Sequence, residues 1–145
     1  MSQSKSRLTV LVADDHTRMR NCIVEILDRK FCVIGAVADG EELVSAATQL
    51  LPDVIVSDVW MPKLNGPDAK QVLLESGVGI PFVFITSDSR DARQIWRNLS
   101  PCINKLDVFT ALCPAVRQAA MRGGMEASSH DLSDVTVLKN SCILK

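Results

Sequence analysis

At 145 residues, 47% apolar and 23% charged, the chain is long enough to bury one core unaided and too short for a second folded domain to be expected. A net charge of −1 leaves no broad basic footprint, which disfavours direct binding to nucleic acid. The polar start MSQSKSR carries no signal-peptide core and no apolar run is long enough to span a bilayer, so the expected location is cytoplasmic.

Leu8 to Ala13, LTVLVA, reads as a first buried strand, and it stops abruptly at Asp14-Asp15. From His16 to about Arg29, Met19, Cys22, Ile23, Ile26 and Leu27 recur at helical spacing, with Asp15 or His16 available as the cap. Phe31 to Val37 is a second strand. Asp39-Gly40 then turns into a helix carrying Leu43, Ala47 and Leu50, which Pro52 stops. Val54-Ile55-Val56 begins a third strand that ends at Asp58. The loop WMPKLNGP leads from it to a helix starting near Asp68, lined by Ala69, Val72, Leu73 and Ser76 and ended by Gly77 and Gly79.

Pro81 opens a fourth strand, PFVFIT. A short helix from Arg90 to Leu99 follows, with Ala92, Ile95, Trp96 and Leu99 on one face and Asp88 as its cap. Cys102-Ile103-Asn104 is a brief fifth strand ending at Lys105. Asp107 is expected to cap a final helix bearing Val108, Leu112, Val116 and Ala120, in which Pro114 predicts a bend or a split. Gly123-Gly124 is expected to end the fold. The division that follows is an extension over 1–7, one domain over 8–122, and a linker with a short tail over 123–145. That tail is too short for an enzymatic output domain.

The cysteines, at 22, 32, 102, 113 and 142, are odd in number and contain no CxxC pair, so reduced thiols are expected. Cys22, Cys32 and Cys102 fall in apolar patterns that imply packing, whereas Cys142 in the tail is expected to be exposed.

Strands alternating with helices imply a parallel sheet covered on both faces, with active groups at the carboxyl edge. In a doubly wound sheet of order 2-1-3-4-5, Asp14, Asp15, Asp58, Thr86 and Lys105 converge there, and Asp39 on the edge strand is left to cap its helix. Clustered carboxylates repel, by ~4 kcal/mol per pair at 4 Å and an effective dielectric of 20, so such a cluster needs a cation. Mg²⁺ suits oxygen ligands and takes one or two carboxylates together with a phosphate oxygen. Asp58 would then be the nucleophile of a phosphoryl transfer, with Thr86 and Lys105 binding the phosphoryl oxygens.

The string DD after the first strand, SDVWMPKLNGPD around the third, FITS at the fourth and NK at the fifth resembles the receiver domain of two-component response regulators, over about residues 8 to 122. The resemblance implies an α/β, flavodoxin-like doubly wound five-stranded parallel sheet of order 2-1-3-4-5. It makes Asp58 the phosphoacceptor and assigns Mg²⁺ to Asp15 directly, to Asp14 through water, to Asp58, and to the backbone carbonyl of Trp60. Thr86 becomes the switch hydroxyl and Lys105 the phosphoryl partner. The donor would be a phosphohistidine on a sensor histidine kinase or a phosphotransfer protein. The output would pass to a downstream protein through helix four, strand five and helix five, and the chain's own chemistry would be its phosphorylation and slow dephosphorylation.

This chain departs from the family pattern on that output face. Cys102 stands where receivers commonly carry an aromatic, Ser87 replaces a small alanine, Leu106 follows the lysine in place of proline, and the interval from Thr86 to Lys105 is short. With Pro114, these changes spare the phosphorylation site. Trp60, two residues after Asp58, would restrict water access to an acyl phosphate, and His16 reads as a surface residue at a helix start. Two functions are therefore expected: a phosphorylatable switch or relay, or an adaptor that binds protein irrespective of phosphorylation. A Mg²⁺-dependent phosphatase is disfavoured, because Trp60 occupies the place of the acid such enzymes need.

Overall fold

The structure is a computed structural model that describes residues 7–88, 90, 91, 94 and 100–127. Its elements follow in the order β1 (Thr9–Ala13), α1 (Thr17–Asp28), β2 (Cys32–Val37), α2 (Gly40–Leu50), β3 (Val54–Asp58), α3 (Gly66–Glu75), β4 (Phe82–Thr86) and β5 (Cys102–Asn104), then a 3-10 turn (Lys105–Asp107) and a final helix (Val108–Ala127). The strands form one parallel sheet of order β2-β1-β3-β4-β5, as expected. No helix among the described residues is long and apolar enough to cross a membrane.

The period-2 geometry of a strand splits each apolar run between two core layers. Val10, Val12, Val54, Val56, Val83 and Ile85 pack with Ile23 and Leu27 of α1 and Leu112 and Val116 of the final helix. Their sequence neighbours Leu11, Ala13, Ile55, Phe82 and Phe84 point the other way, onto Leu43 and Ala47 of α2 and Ala69 and Leu73 of α3. Each large side chain buried in these layers contributes roughly 1.5–3 kcal/mol. Continuous apolar runs in β1, β3 and β4 thus result from burial on both faces, which is why the three are buried throughout.

Several local expectations are corrected. α3 begins at Gly66 rather than Asp68, because Asn65 caps it by accepting from the Asp68 amide and Pro67 occupies the first turn. Val72 does not line the core; it is 36% exposed, while Ala69 and Leu73 carry the packing. His16 occupies the cap position of α1 without a side-chain bond to the helix. The side chain that organises the start of the final helical segment is Asn104, accepting from Leu106 N at 2.9 Å, while Asp107 lies within the 3-10 turn.

The final helix holds exposed Pro114 within its span and is not split. It also runs through Gly123-Gly124 instead of ending there. A Cβ at Gly123 would lie 2.7 Å from Cγ of Pro81, so this glycine serves a close helix approach to the start of β4. Asp39 does cap α2, accepting from Glu42 N, and Glu42 reaches back to Ala38 N. The expected helix from Arg90 to Leu99 is described only at Arg90, Asp91 and Gln94, all helical; Trp96, Cys142 and most of 123–145 lie outside the described residues.

Candidate functional site

Strand register brings the candidate residues to one edge. Ala13 pairs with Ser57, so Asp14 and Asp58 leave adjacent strands at the same level. Asp58 pairs with Ile85, and Thr86 with Asn104, which places Thr86 one step beyond Asp58 on β4 and Lys105 just past the end of β5. Oxygens of Asp14, Asp15 and Asp58, together with a ring nitrogen of His16, lie within 4.8 Å of one another. Lys105 Nζ closes the group, 3.0 Å from Asp58 Oδ2 and 3.7 Å from Asp14 Oδ2.

Local structure fixes these side chains. Asp14 is fully buried, and its Oδ1 accepts from His16 N at 2.8 Å while Arg20 donates to its carbonyl. Its Oδ2 has no hydrogen-bond partner among the described residues. Beyond Asp58, the loop is held by Gly66 N donating to Val59 O and by Ser57 Oγ donating to Asp58 O. A Cβ on Gly66 would overlap the Asp58 carbonyl, so only glycine lets α3 start this close to the site. The turn after β5, capped by Asn104, aims Lys105 back over the sheet edge.

Burial pushes the Asp58 carboxyl above its ordinary range; the Lys105 hydrogen bond pulls it back and the Asp14 charge raises it again, so the net direction is upward. Burial alone would lower Lys105, but its bond to Asp58 and the charges of Asp58, Asp14 and Asp15 outweigh that and hold it above the usual lysine range. The lysine is therefore an ammonium facing more negative charge than it can neutralise. Such a site attracts a further cation and can receive an electrophilic phosphoryl group on Asp58.

Thr86 is buried and its hydroxyl is already engaged, donating to Asp91 Oδ2 at 3.2 Å and accepting from Asp88 N at 3.1 Å. The same Asp91 oxygen accepts from Trp60 Nε1 at 2.8 Å. Asp88 accepts from Arg90 N, as a residue at a helix start would. The sequence assigns no role to Asp91 or Arg20, and Asn104 enters it only as the last residue of the fifth strand and within the NK string. Asn104 carried a legible signal, a short polar side chain after an apolar run. Asp91 and Arg20 carried none, since their contacts depend on how separate elements meet.

Comparison with known proteins agrees with this fold. The family model of the response regulator receiver domain matches residues 10–101. A protein-glutamate methylesterase/protein-glutamine glutaminase of Nitrosospira multiformis is 39% identical over 90 residues, 61% of this chain and 25% of that protein. A nitrate/nitrite response regulator protein homolog of Haemophilus influenzae is 38% identical over 90 residues, covering 60% of this chain and 43% of the relative. The chain thus spans less than half the length of these relatives. Among solved structures, the response regulator domain of Thermotoga maritima CheB superposes with a TM-score of 0.69 at 28% identity, covering 79% of this chain and 96% of that one.

Proposed function

Because the chain belongs to the response regulator receiver domain family of two-component signalling, we propose that Asp58 is its phosphoacceptor. The observation that carries this reading is the buried Asp58 carboxylate, 3.0 Å from Lys105 Nζ and beside Asp14. A carboxylate oxygen of Asp58 attacks the phosphorus of a phosphohistidine on a sensor kinase or phosphotransfer protein. The phosphorus–nitrogen bond breaks, the imidazole leaves, and an acyl phosphate forms. Lys105 pairs with the incoming phosphoryl oxygens, and the Thr86 hydroxyl donates to them once it turns from Asp91.

Asp14, Asp15 and Asp58 fit a hard divalent ion, because their oxygens converge and buried Asp14 Oδ2 lacks a hydrogen-bond donor among the described residues. The Trp60 carbonyl is the further ligand that the family pattern adds. Mg²⁺ bound there would neutralise charge that builds on the phosphoryl oxygens. The product is a changed protein contact, through which the signal passes on.

Intact mass after incubation with Mg²⁺ and a small-molecule phosphodonor tests the reading. One phosphate adduct is expected, and it should be lost in Asp58→Ala. A second reading, an adaptor indifferent to phosphorylation, is favoured by Leu106 and Phe109, 87% and 75% exposed beside the site. That reading prevails if Mg²⁺ binds and no adduct forms.

A further inference from the structure

Trp60 and Asp91 are 31 residues apart in sequence, yet the indole N–H donates to Asp91 Oδ2 at 2.8 Å. That oxygen also accepts from Thr86 Oγ1 at 3.2 Å, so one carboxylate joins the tryptophan beside Asp58 to the hydroxyl at the end of β4. Trp60 is 62% exposed, and its backbone N–H points at Asp58 Oδ1 over 3.4 Å. Val59, Trp60, Asn65, Pro67, Asp91 and Gln94 line a shallow pocket next to the site, with the indole and the carboxylate both on its wall. A largely exposed indole can sample several rotamers, and a charge-assisted hydrogen bond selects one of them.

Thr86 has a single hydroxyl proton. It can donate to Asp91 or to a phosphoryl oxygen on Asp58, but not to both. Trp60 has no such choice, since its N–H finds no second acceptor among the described residues. When the Thr86 hydroxyl turns away, Asp91 keeps the indole.

We propose that Asp91 is a positioning residue that pins Trp60 beside Asp58 and thereby slows loss of the phosphoryl group. The inference rests on the reading of Asp58 as phosphoacceptor. In that loss, a water oxygen attacks phosphorus and the phosphorus–oxygen bond to Asp58 breaks. The carboxylate is regenerated, and the water's protons stay with inorganic phosphate or pass to solvent. The pinned indole occupies part of the space through which that water must come.

The experiment uses the full chain carrying Trp96→Phe, so that Trp60 is its only tryptophan. After phosphorylation with Mg²⁺ and a small phosphodonor, the donor is removed and the adduct followed by intact mass. Asp91→Ala should lose it about five-fold faster, the factor that a hydrogen bond of ~1 kcal/mol confers. Asp91→Asn, whose side-chain oxygen still accepts from the indole, should stay within about two-fold of the parent. In a Trp60→Phe background, Asp91→Ala should add nothing further.

Fluorescence anisotropy of Trp60 in the unphosphorylated protein should fall in Asp91→Ala and hold in Asp91→Asn. An unchanged anisotropy overturns the positioning role, whether or not the protein takes phosphate. A lower anisotropy with an unchanged lifetime overturns the link to phosphoryl loss. If the parent takes no phosphate at all, the phosphoacceptor reading fails, and the anisotropy still decides Asp91's hold on Trp60.

Discussion

Replacing Lys105 with methionine keeps the aliphatic stem and removes the one ammonium that, among the described residues, reaches both Asp58 and Asp14. At an effective dielectric of 20 the lost attractions are about 5.5 kcal/mol at 3.0 Å and about 4.5 kcal/mol at 3.7 Å. The fold does not bear that sum, because a carboxyl left without its partner takes up a proton. From an ordinary value of 3.8, holding Asp58 protonated at pH 7 costs at most about 4 kcal/mol, and at pH 5 about 1.6 kcal/mol. Wherever the folded variant binds a proton that the unfolded chain does not, its stability falls by about 1.4 kcal/mol for each unit of rising pH. Urea denaturation of Lys105→Met and the parent should therefore show a deficit of about 2–4 kcal/mol at pH 7 that shrinks below about 1.6 at pH 5. Adding Asp58→Asn should recover much of it. An equal deficit at both pH values would refute the electrostatic argument and assign the loss to packing.

Asp58→Asn alone should raise the melting temperature of the metal-free protein at neutral pH, since the fold holds the Asp58 carboxyl above its ordinary value and pays for its charged form. That penalty is absent below the unfolded value and complete above the folded one, so calorimetry should show the gain fading as pH falls toward 3.8. Gly66→Ala forces a methyl into the Asp58 carbonyl and should lower stability by about 1–3 kcal/mol in urea. Cys102 is 8% exposed with its thiol pushed up to about 11 by burial, so at pH 8 iodoacetamide should label it about a hundredfold more slowly in the native chain than in the unfolded one, as peptide mass mapping would show.

The sheet and its edge were legible because their causes are local. A strand buried on both faces is a continuous apolar run, and Val10–Ala13, Val54–Val56 and Phe82–Ile85 announce themselves as such. The polar residue that ends each run is then placed by topology, which parallel pairing and crossover handedness reduce to few choices. Element ends were less legible. Asn65 and Asp68 are both good caps, and only the Asn65 bond to Asp68 N decides between them. Gly123 reads as a stop until Pro81 is seen against it. The Asp91 bridge had no local signature, because a carboxylate early in a helix is ordinary and its two donors come from the ends of β4 and the loop after β3.

This division between legible and hidden residues bears on how a signal leaves the site. The chemistry of Asp14, Asp58 and Lys105 is fixed by strand ends that the core holds rigid. On the proposed phosphoacceptor reading, a phosphoryl group on Asp58 is read through the groups that touch Thr86, since its hydroxyl has one proton to exchange between acceptors. Cys102, on the neighbouring strand, is small and buried among Phe82 and Phe84, so it offers no side chain that could swing between buried and exposed positions as the hydroxyl moves. Asp91 and the Asp88 amide are the groups that the hydroxyl does touch. On that reading a displacement of Thr86 is felt first at Asp88 and Asp91, at the start of the segment after β4, rather than on the β5 side of the site.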